Sequence, residues 1–395
     1  MKETRQATQS SGTSSRPRRQ AGNRRARSAV LSGLVLFALT QLGLGLAIAL
    51  CLPSVRDPFY SQKAARLKRR LAADPAPLTV VMLGSSRTAY GFAPSPLEGP
   101  LTRALGRPVV LFNFGLCGAG PVTELLTLRR LLDDGIRPSL LLVEVLPPLL
   151  AGQVPLFEMQ EERNPTWALR AADLPLVASY GASVRRGLKR EWYRSWLVPS
   201  YSHRLDLLNH TFPLLLSHAD RRDAFALTDR SGWSRLLVGS PEQRKRALAS
   251  QNEQYRTFLD GFRLGGPAAE GLCELLETCR RENIPAALVL MPEGPIFRNW
   301  YPQAAWDQIE TYLAQLRRRF GVPVIRAREW VAKDEAFTDS HHMRPETAAA
   351  FTQRLVEEAI IPLLHQGYDP PITVRQGAVG AATRQVSGGG GGSRW

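Results

Sequence analysis

From about residue 76 onward the chain alternates between runs that are apolar at nearly every position and runs whose apolar residues recur at helical spacing. "LTVVMLG", "RPVVLFNFG" and "SLLLVEVLP" are of the first kind, and Gly or Pro bounds each of them. A strand covered on both faces reads this way, because neither side of its pleat meets water. "PVTELLTLRRLLDDG" is of the second kind, and a further helix is predicted from about residue 94 to 105. This βαβαβ rhythm predicts a three-layer α/β domain with a parallel sheet. From about 155 to 260 the strand signal stops, and Trp, Arg, Leu and Glu recur at helical spacing, as in "WALRAADLPLVASYGASVRRGLKREWYRSWL". That stretch reads as a helical insertion. The alternation then resumes with the helix "AAEGLCELLETCRREN", the strand "PAALVLMP", the helix "PQAAWDQIETYLAQLRRRFG", the short strand "VPVIRA" and the helix "RPETAAAFTQRLVEEAIIPLLHQ". The domain is thus expected over 76–368, and the glycine-rich tail 369–395 is expected to be flexible.

Ahead of the domain lies a different pattern. Residues 28–55 contain no charged side chain, and a bilayer is crossed by about 20 apolar residues. A transmembrane helix is predicted over 29–52. A cleaved signal peptide is the alternative, weakly supported by Ala47 and Ala49, and Leu50 argues against a lipoprotein site at Cys51. The net charge of +16 changes meaning once it is located, since Lys2, Arg5, Arg16, Arg18, Arg19, Arg24, Arg25 and Arg27 all precede the span. Residues 1–28 therefore read as a disordered basic arm held in the cytoplasm, with everything after residue 52 on the outer side of the inner membrane. Residues 53–75 predict a basic juxtamembrane helix whose Arg56, Lys63, Arg66, Lys68, Arg69 and Arg70 either rest on anionic headgroups or face solvent. Bases gathered on both sides of a span argue against nucleic acid as the partner. The four cysteines form no disulfide framework and no metal spacing, so free thiols, no metal site and no cofactor are expected.

Candidate chemistry sits where strands end. Ligands of doubly wound sheets bind beyond the carboxyl ends of the strands, and three exits stand out: "GSSR" after the first strand, "NFGLCGAGP" after the second, and "FTDSHHMRPETA" before the last helix. Taken singly, the first two are ordinary turn sequences. Taken together they supply a serine, a glycine loop and an Asp at i with a His at i+3. A serine nucleophile needs a base for its proton and a carboxylate to fix the tautomer of that base. His203, His210, His218 and His365 sit at no strand exit and read as structural or surface residues.

The order of these motifs resembles the SGNH (GDSL-type) hydrolase superfamily, and Ser85 in place of the usual Asp resembles its membrane-anchored branch active in polysaccharide O-acetylation and teichoic-acid D-alanylation. The resemblance implies a flavodoxin-like sheet, with Ser86 as nucleophile, His342 as base, Asp339 as its orienter, and the N–H groups of Ser86 and Gly118 as oxyanion donors. Ser85 is expected to turn toward neighbouring loop backbone. The third block departs from the family: Leu146, Pro147 and Pro148 stand where an Asn donor is expected, which leaves Arg87 and Asn299 as substitutes. His341 is expected to face solvent or substrate. The implied function is a membrane-anchored, extracytoplasmic acyl-ester enzyme, an esterase or an O-acyltransferase on cell-envelope glycan, served by a polytopic membrane acyltransferase as partner. The insertion would then be a lid or acceptor platform. Its Trp167, Trp192 and Trp196 would either pack in its own core or stack on sugar rings. The degenerate third block supports a second reading, an inactive scaffold of the same fold in a cell-envelope assembly.

Overall fold

β1 (Leu78–Gly84) is buried at every position, and its side chains divide by parity between two cores. Val80 and Met82 join Leu111, Leu142, Val289 and Phe351 on one face, while Val81 and Leu83 join Phe112, Val143, Leu125, Leu272 and Leu313 on the other. β2 (Val109–Gly115), β3 (Leu140–Glu144), β4 (Ala286–Leu290) and β5 (Val324–Arg326) complete one sheet. All pairings are parallel, in the order β2-β1-β3-β4-β5. The strand order reverses between β1 and β3, and it is at such a reversal that a crevice opens beyond the strand ends. The computed structural model describes residues 18–74, 76–152, 166–180, 182–217 and 228–365. The expectations for the arm at 1–17, for the tail at 369–395 and for the insertion at 155–165 and 218–227 lie outside the described residues, while residues 18–28, expected to be disordered, are helical and continue into the apolar stretch of the helix Arg18–Leu50.

At the site end of the sheet, Gly84 of β1 pairs with Gly115 of β2. A Cβ at Gly84 would collide with Thr88 Oγ1 and the Glu144 carboxylate, and one at Gly115 with the backbone of Ala89. The two glycines therefore let a helix start directly on the strand ends. That helix, Ser86–Gly91, is capped by Ser85, whose Oγ accepts from the Arg87 N–H. It precedes the helix anticipated from residue 94, which is itself split into a 3-10 turn, Ser95–Leu97, and the helix Glu98–Leu105. Small and polar residues in "SSRTAYG" give no apolar periodicity, and only the cap announces the helix.

The juxtamembrane helix, Pro58–Leu71, corrects the sequence reading. Its Tyr60, Lys63, Ala64 and Leu67 are buried, and three of its bases reach the domain. Lys63 donates to the carbonyls of Asn113 and Gly232 at 2.9 and 2.7 Å, Arg66 to those of Thr228 and Asp229, and Arg70 to the Glu98 carboxylate at 2.6 and 2.7 Å. These cations are spent on backbone and carboxylate oxygens of the domain, which leaves Lys68 and Arg69 as the more exposed ones. Burial pushes the Lys63 ammonium down to about 7, whereas a lysine in the unfolded chain titrates near 10.4. Between those values the unfolded chain binds the proton and the folded one does not, so stability rises with pH, by up to about 1.4 kcal/mol per unit. Urea midpoints measured from pH 7 to 9 should climb, and Lys63→Met should flatten the climb; an equal climb in the variant would assign it to another group.

Between β3 and β4 the described residues form no strand. Helices Leu174–Ser179, Ala182–Leu197, Pro199–Ser202, Arg204–Thr211 and Pro241–Leu259 fill the interval. Trp192 is partly buried against the main core, donates Nε1–H to the Leu169 carbonyl and lies tilted against Trp196 with centroids 5.5 Å apart, while Trp167 is half-exposed. The insertion is also tied to the sheet edge. Ser231 O accepts from Asn113 N at 2.8 Å, Ser234 N donates to Ala89 O at 3.0 Å, and Trp233 Nε1–H donates to Tyr90 O at 2.7 Å.

Candidate active site

Ser86 stands at the first turn of a helix that begins where β1 ends, and its Oγ lies 2.7 Å from His342 Nε2. The other ring nitrogen of His342, Nδ1, is 2.7 Å from Asp339 Oδ2, and Asp339 Oδ1 accepts the His342 backbone N–H at 2.9 Å. The loop makes this possible by reversing direction within four residues. Phe337 and Met343 form an antiparallel bridge, and between them Ser340 takes a left-handed φ of 71°. Such a backbone is uncommon for a side-chain-bearing residue and persists only where surroundings enforce it. Here they do: Ser340 Oγ donates to Asp334 at 2.5 Å and accepts from Phe297 N at 3.0 Å, while its carbonyl accepts from Gly294 N at 2.7 Å. Burial opposes ionisation of Asp339, but His341, His342 and the hydrogen bonds from His342 outweigh it and hold the carboxyl well below the usual range. Asp339 is thus a fixed negative charge behind the imidazole.

The turn carrying Ser86 is built on Glu144, the last residue of β3. Its carboxylate accepts from Ser85 N at 2.8 Å, Ser85 Oγ at 2.9 Å, Thr88 N at 3.2 Å and Thr88 Oγ1 at 2.7 Å. Ser85 thus turns to a carboxylate and not to loop backbone, a correction that follows from the acid at the end of the neighbouring strand. Of the first N–H groups of this helix, which have no partner within it, Arg87 N is taken by Ser85 Oγ and Thr88 N by Glu144. No acceptor is recorded for the N–H of Ser86 or of Gly118 among the described residues. Gly118 is exposed on the loop after β2 with φ 76°.

The substitute oxyanion donors are placed elsewhere. Arg87 is fully buried and lies between two carboxylates: its Nη1 is 3.3 Å from Glu293, its Nε is 3.8 Å from Glu144, and its Nη2 donates to the carbonyls of Met291 and Pro292. Burial disfavours its charge, yet Glu293 and Glu144 more than compensate. Arg87 braces the exits of β3 and β4 from below and presents nothing to a substrate. Asn299 is exposed at the end of the short helix Pro295–Arg298, with no recorded contact to Ser86 or His342. Leu146, Pro147 and Pro148 are buried in and just before a 3-10 turn, Pro147–Leu150, so that block supplies no side-chain donor.

His341 is 3% exposed, against the expectation of a solvent-facing or substrate-contacting ring. It packs among Phe297, Tyr255 and His342, with ring centroids 5.0, 5.4 and 4.0 Å away. Burial, with His342 and Arg87 nearby, drives its pKa well below normal. Asp339, His341 and His342 also form a grouping of metal-ligand type. However, both ring nitrogens of His342 are engaged with Ser86 and Asp339, the arrangement of a proton relay. Tyr90 supports that relay from the other side, edge-on to His342 at 5.7 Å. Sequence reasoning missed Tyr90, Glu144 and Glu293; the only signal was a lone acid closing each of two apolar strands.

One protein-family model, which carries no functional description, matches residues 245–364. No curated protein matches the chain. Among solved structures, a variant of the esterase AlinE4 aligns over 72% of this chain and 97% of its own, with 15% identity and a TM-score of 0.28.

Proposed function

We propose that Ser86, His342 and Asp339 form the catalytic site of a serine-type acyl-ester enzyme, anchored to the membrane by the apolar helix and acting on acyl groups of cell-envelope glycan. The observation that carries this reading is the unbroken hydrogen-bonded line from Ser86 Oγ through His342 to Asp339, with 2.7 Å at each step. The order of the motifs along the chain, which resembles that of the SGNH superfamily, supports it.

In this reading His342 Nε2 takes the Ser86 proton as Oγ bonds to the acyl carbonyl carbon. The oxyanion that forms is received by the N–H groups of Ser86 and Gly118. Collapse breaks the ester C–O bond, and His342 returns the proton to the departing alcohol. A second hydroxyl, from a sugar or from water, then gives its proton to His342 Nε2 and attacks the acyl-Ser86 carbonyl carbon; the bond from that carbon to Ser86 Oγ breaks and His342 returns the proton to Oγ. Asp339 stays ionised throughout and stabilises the imidazolium. The hole has two donors where three are usual, and each missing donor costs around a hundredfold or more in turnover. Slow cleavage is expected.

The test is the purified full chain in detergent with p-nitrophenyl acetate, alone and with a hydroxyl-rich oligosaccharide acceptor. p-Nitrophenol release with acetate appearing on the oligosaccharide would establish transfer, and release with free acetate alone would establish hydrolysis. The degenerate third block favours an inactive scaffold, and that reading replaces this one if neither product forms. For the anchor, protease added to intact spheroplasts should digest the large domain; a protected domain would reverse the topology.

A further inference from the structure

We propose that residues 195–217 of the insertion are seated in the outer leaflet of the bilayer crossed by the N-terminal helix. This inference rests on the reading of that helix as a span and is independent of the catalytic reading.

The apolar stretch of the helix covers Arg24–Leu50. Its last turns are not free: Gln41, Gly45 and Ile48, at helical spacing, form one face, and Gln41 and Ile48 on it are buried. Gln41 Oε1 accepts the Ser200 N–H at 3.2 Å, and at Gly45 a Cβ would touch Trp196 and Pro199 at 3.5 and 3.7 Å. The opposite face stays bare, with Leu42, Leu46 and Leu50 exposed at 55%, 46% and 77%.

Depth follows from the helical rise. About 20 residues are needed to cross the hydrocarbon, and Arg27 sets where that count begins. Gln41 then lies well short of the outer boundary. At about 1.5 Å per residue, it is roughly 9 to 13 Å inside the apolar layer. Ser200 bonds to Gln41 and must share that depth. The polarity of the insertion agrees. "SWLVPSYSH", residues 195–203, contains no charged side chain, and from there to 217 only Arg204 and Asp206 are charged, with Asp206 buried. Lys189, Arg190, Glu191 and Arg194 are exposed on the preceding helix, Ala182–Leu197. Over residues 195–217 Leu197, Tyr201, Phe212, Leu214 and Leu215 are 63% to 82% exposed, and the one exposed charge, Arg204, lies 4.4 Å from the Tyr201 ring. In water that many large apolar groups are costly, whereas leucine and phenylalanine are favoured in hydrocarbon and tyrosine at its boundary.

The experiment places single spin labels at Leu42, Tyr201, Leu214 and Glu357 of the full chain, its native cysteines replaced by serine. The chain is reconstituted in phosphatidylcholine and phosphatidylglycerol vesicles, and each label's collisions with oxygen and with a water-soluble nickel complex are compared. The proposal expects oxygen to dominate at Leu42, Tyr201 and Leu214 and nickel to dominate at Glu357, which is exposed on the helical segment Val356–Ile360. Nickel dominance at Tyr201 and Leu214 with oxygen dominance at Leu42 would overturn the proposal and leave the span standing. Nickel dominance at Leu42 would remove the span itself, and the proposal with it.

Discussion

Ser86→Ala is expected to lower ester cleavage by about four to six orders of magnitude, because it removes the hydroxyl bonded to His342 Nε2 and members of a catalytic triad act as a unit. Asp339→Asn should cost about 10⁴-fold in kcat, since the neutral amide leaves the imidazole free to take the wrong tautomer. Ser85→Ala discriminates this account from one in which the turn is one residue out of register. Ser85 Oγ caps the Ser86–Gly91 helix and donates to Glu144, so its loss should lower stability by about 1 kcal/mol and leave cleavage within about tenfold of the parent. Initial rates and urea midpoints for the three variants check this. Cleavage that survives Ser86→Ala and disappears in Ser85→Ala would move the nucleophile by one residue.

Glu144→Ala should be the most damaging change remote from the substrate. The carboxylate is fully buried, faces Arg87, and accepts four hydrogen bonds from Ser85 and Thr88. Its removal leaves Arg87 with Glu293 alone and strands two backbone N–H groups. Breaking a buried ion pair by deleting one partner costs about 3 to 5 kcal/mol. The folded fraction should therefore lose cleavage as well as stability, because the helix start that aims Ser86 is released. Glu144→Gln keeps an acceptor oxygen and most of the shape, and should recover part of both. Thermal unfolding and kcat per folded molecule separate the two effects; unchanged kcat per folded molecule in Glu144→Ala would mean that the helix start is held by other contacts.

The sheet was legible because its strands are apolar on both faces and Gly or Pro closes each one, so β1 to β4 announce themselves without tertiary information. β5 was legible only as a fragment, being three residues long and half-exposed. The line from Ser86 to Asp339 was readable from motif order, since Ser86 and His342 lie at opposite ends of the domain sequence and a parallel sheet places both exits on one edge. The burial of charge was not. Arg87 beside a nucleophile reads as a substrate contact until Glu144 and Glu293, 57 and 206 positions away, are seen to enclose it. His341 reads as exposed until Tyr255 and Phe297 close over it. The bases of Pro58–Leu71 read as headgroup ligands or solvent-facing groups because their proximity to the span is local, whereas the carbonyls that receive them belong to β2 and to the 228–232 segment.

Covalent capture tests the central claim most directly. The full chain, treated with a fluorophosphonate and digested, should yield one modified peptide containing "GSSR" with the adduct on Ser86, and His342→Ala should slow the modification by at least a hundredfold. An adduct on Ser85, or none on a chain whose fold is intact, would contradict the account.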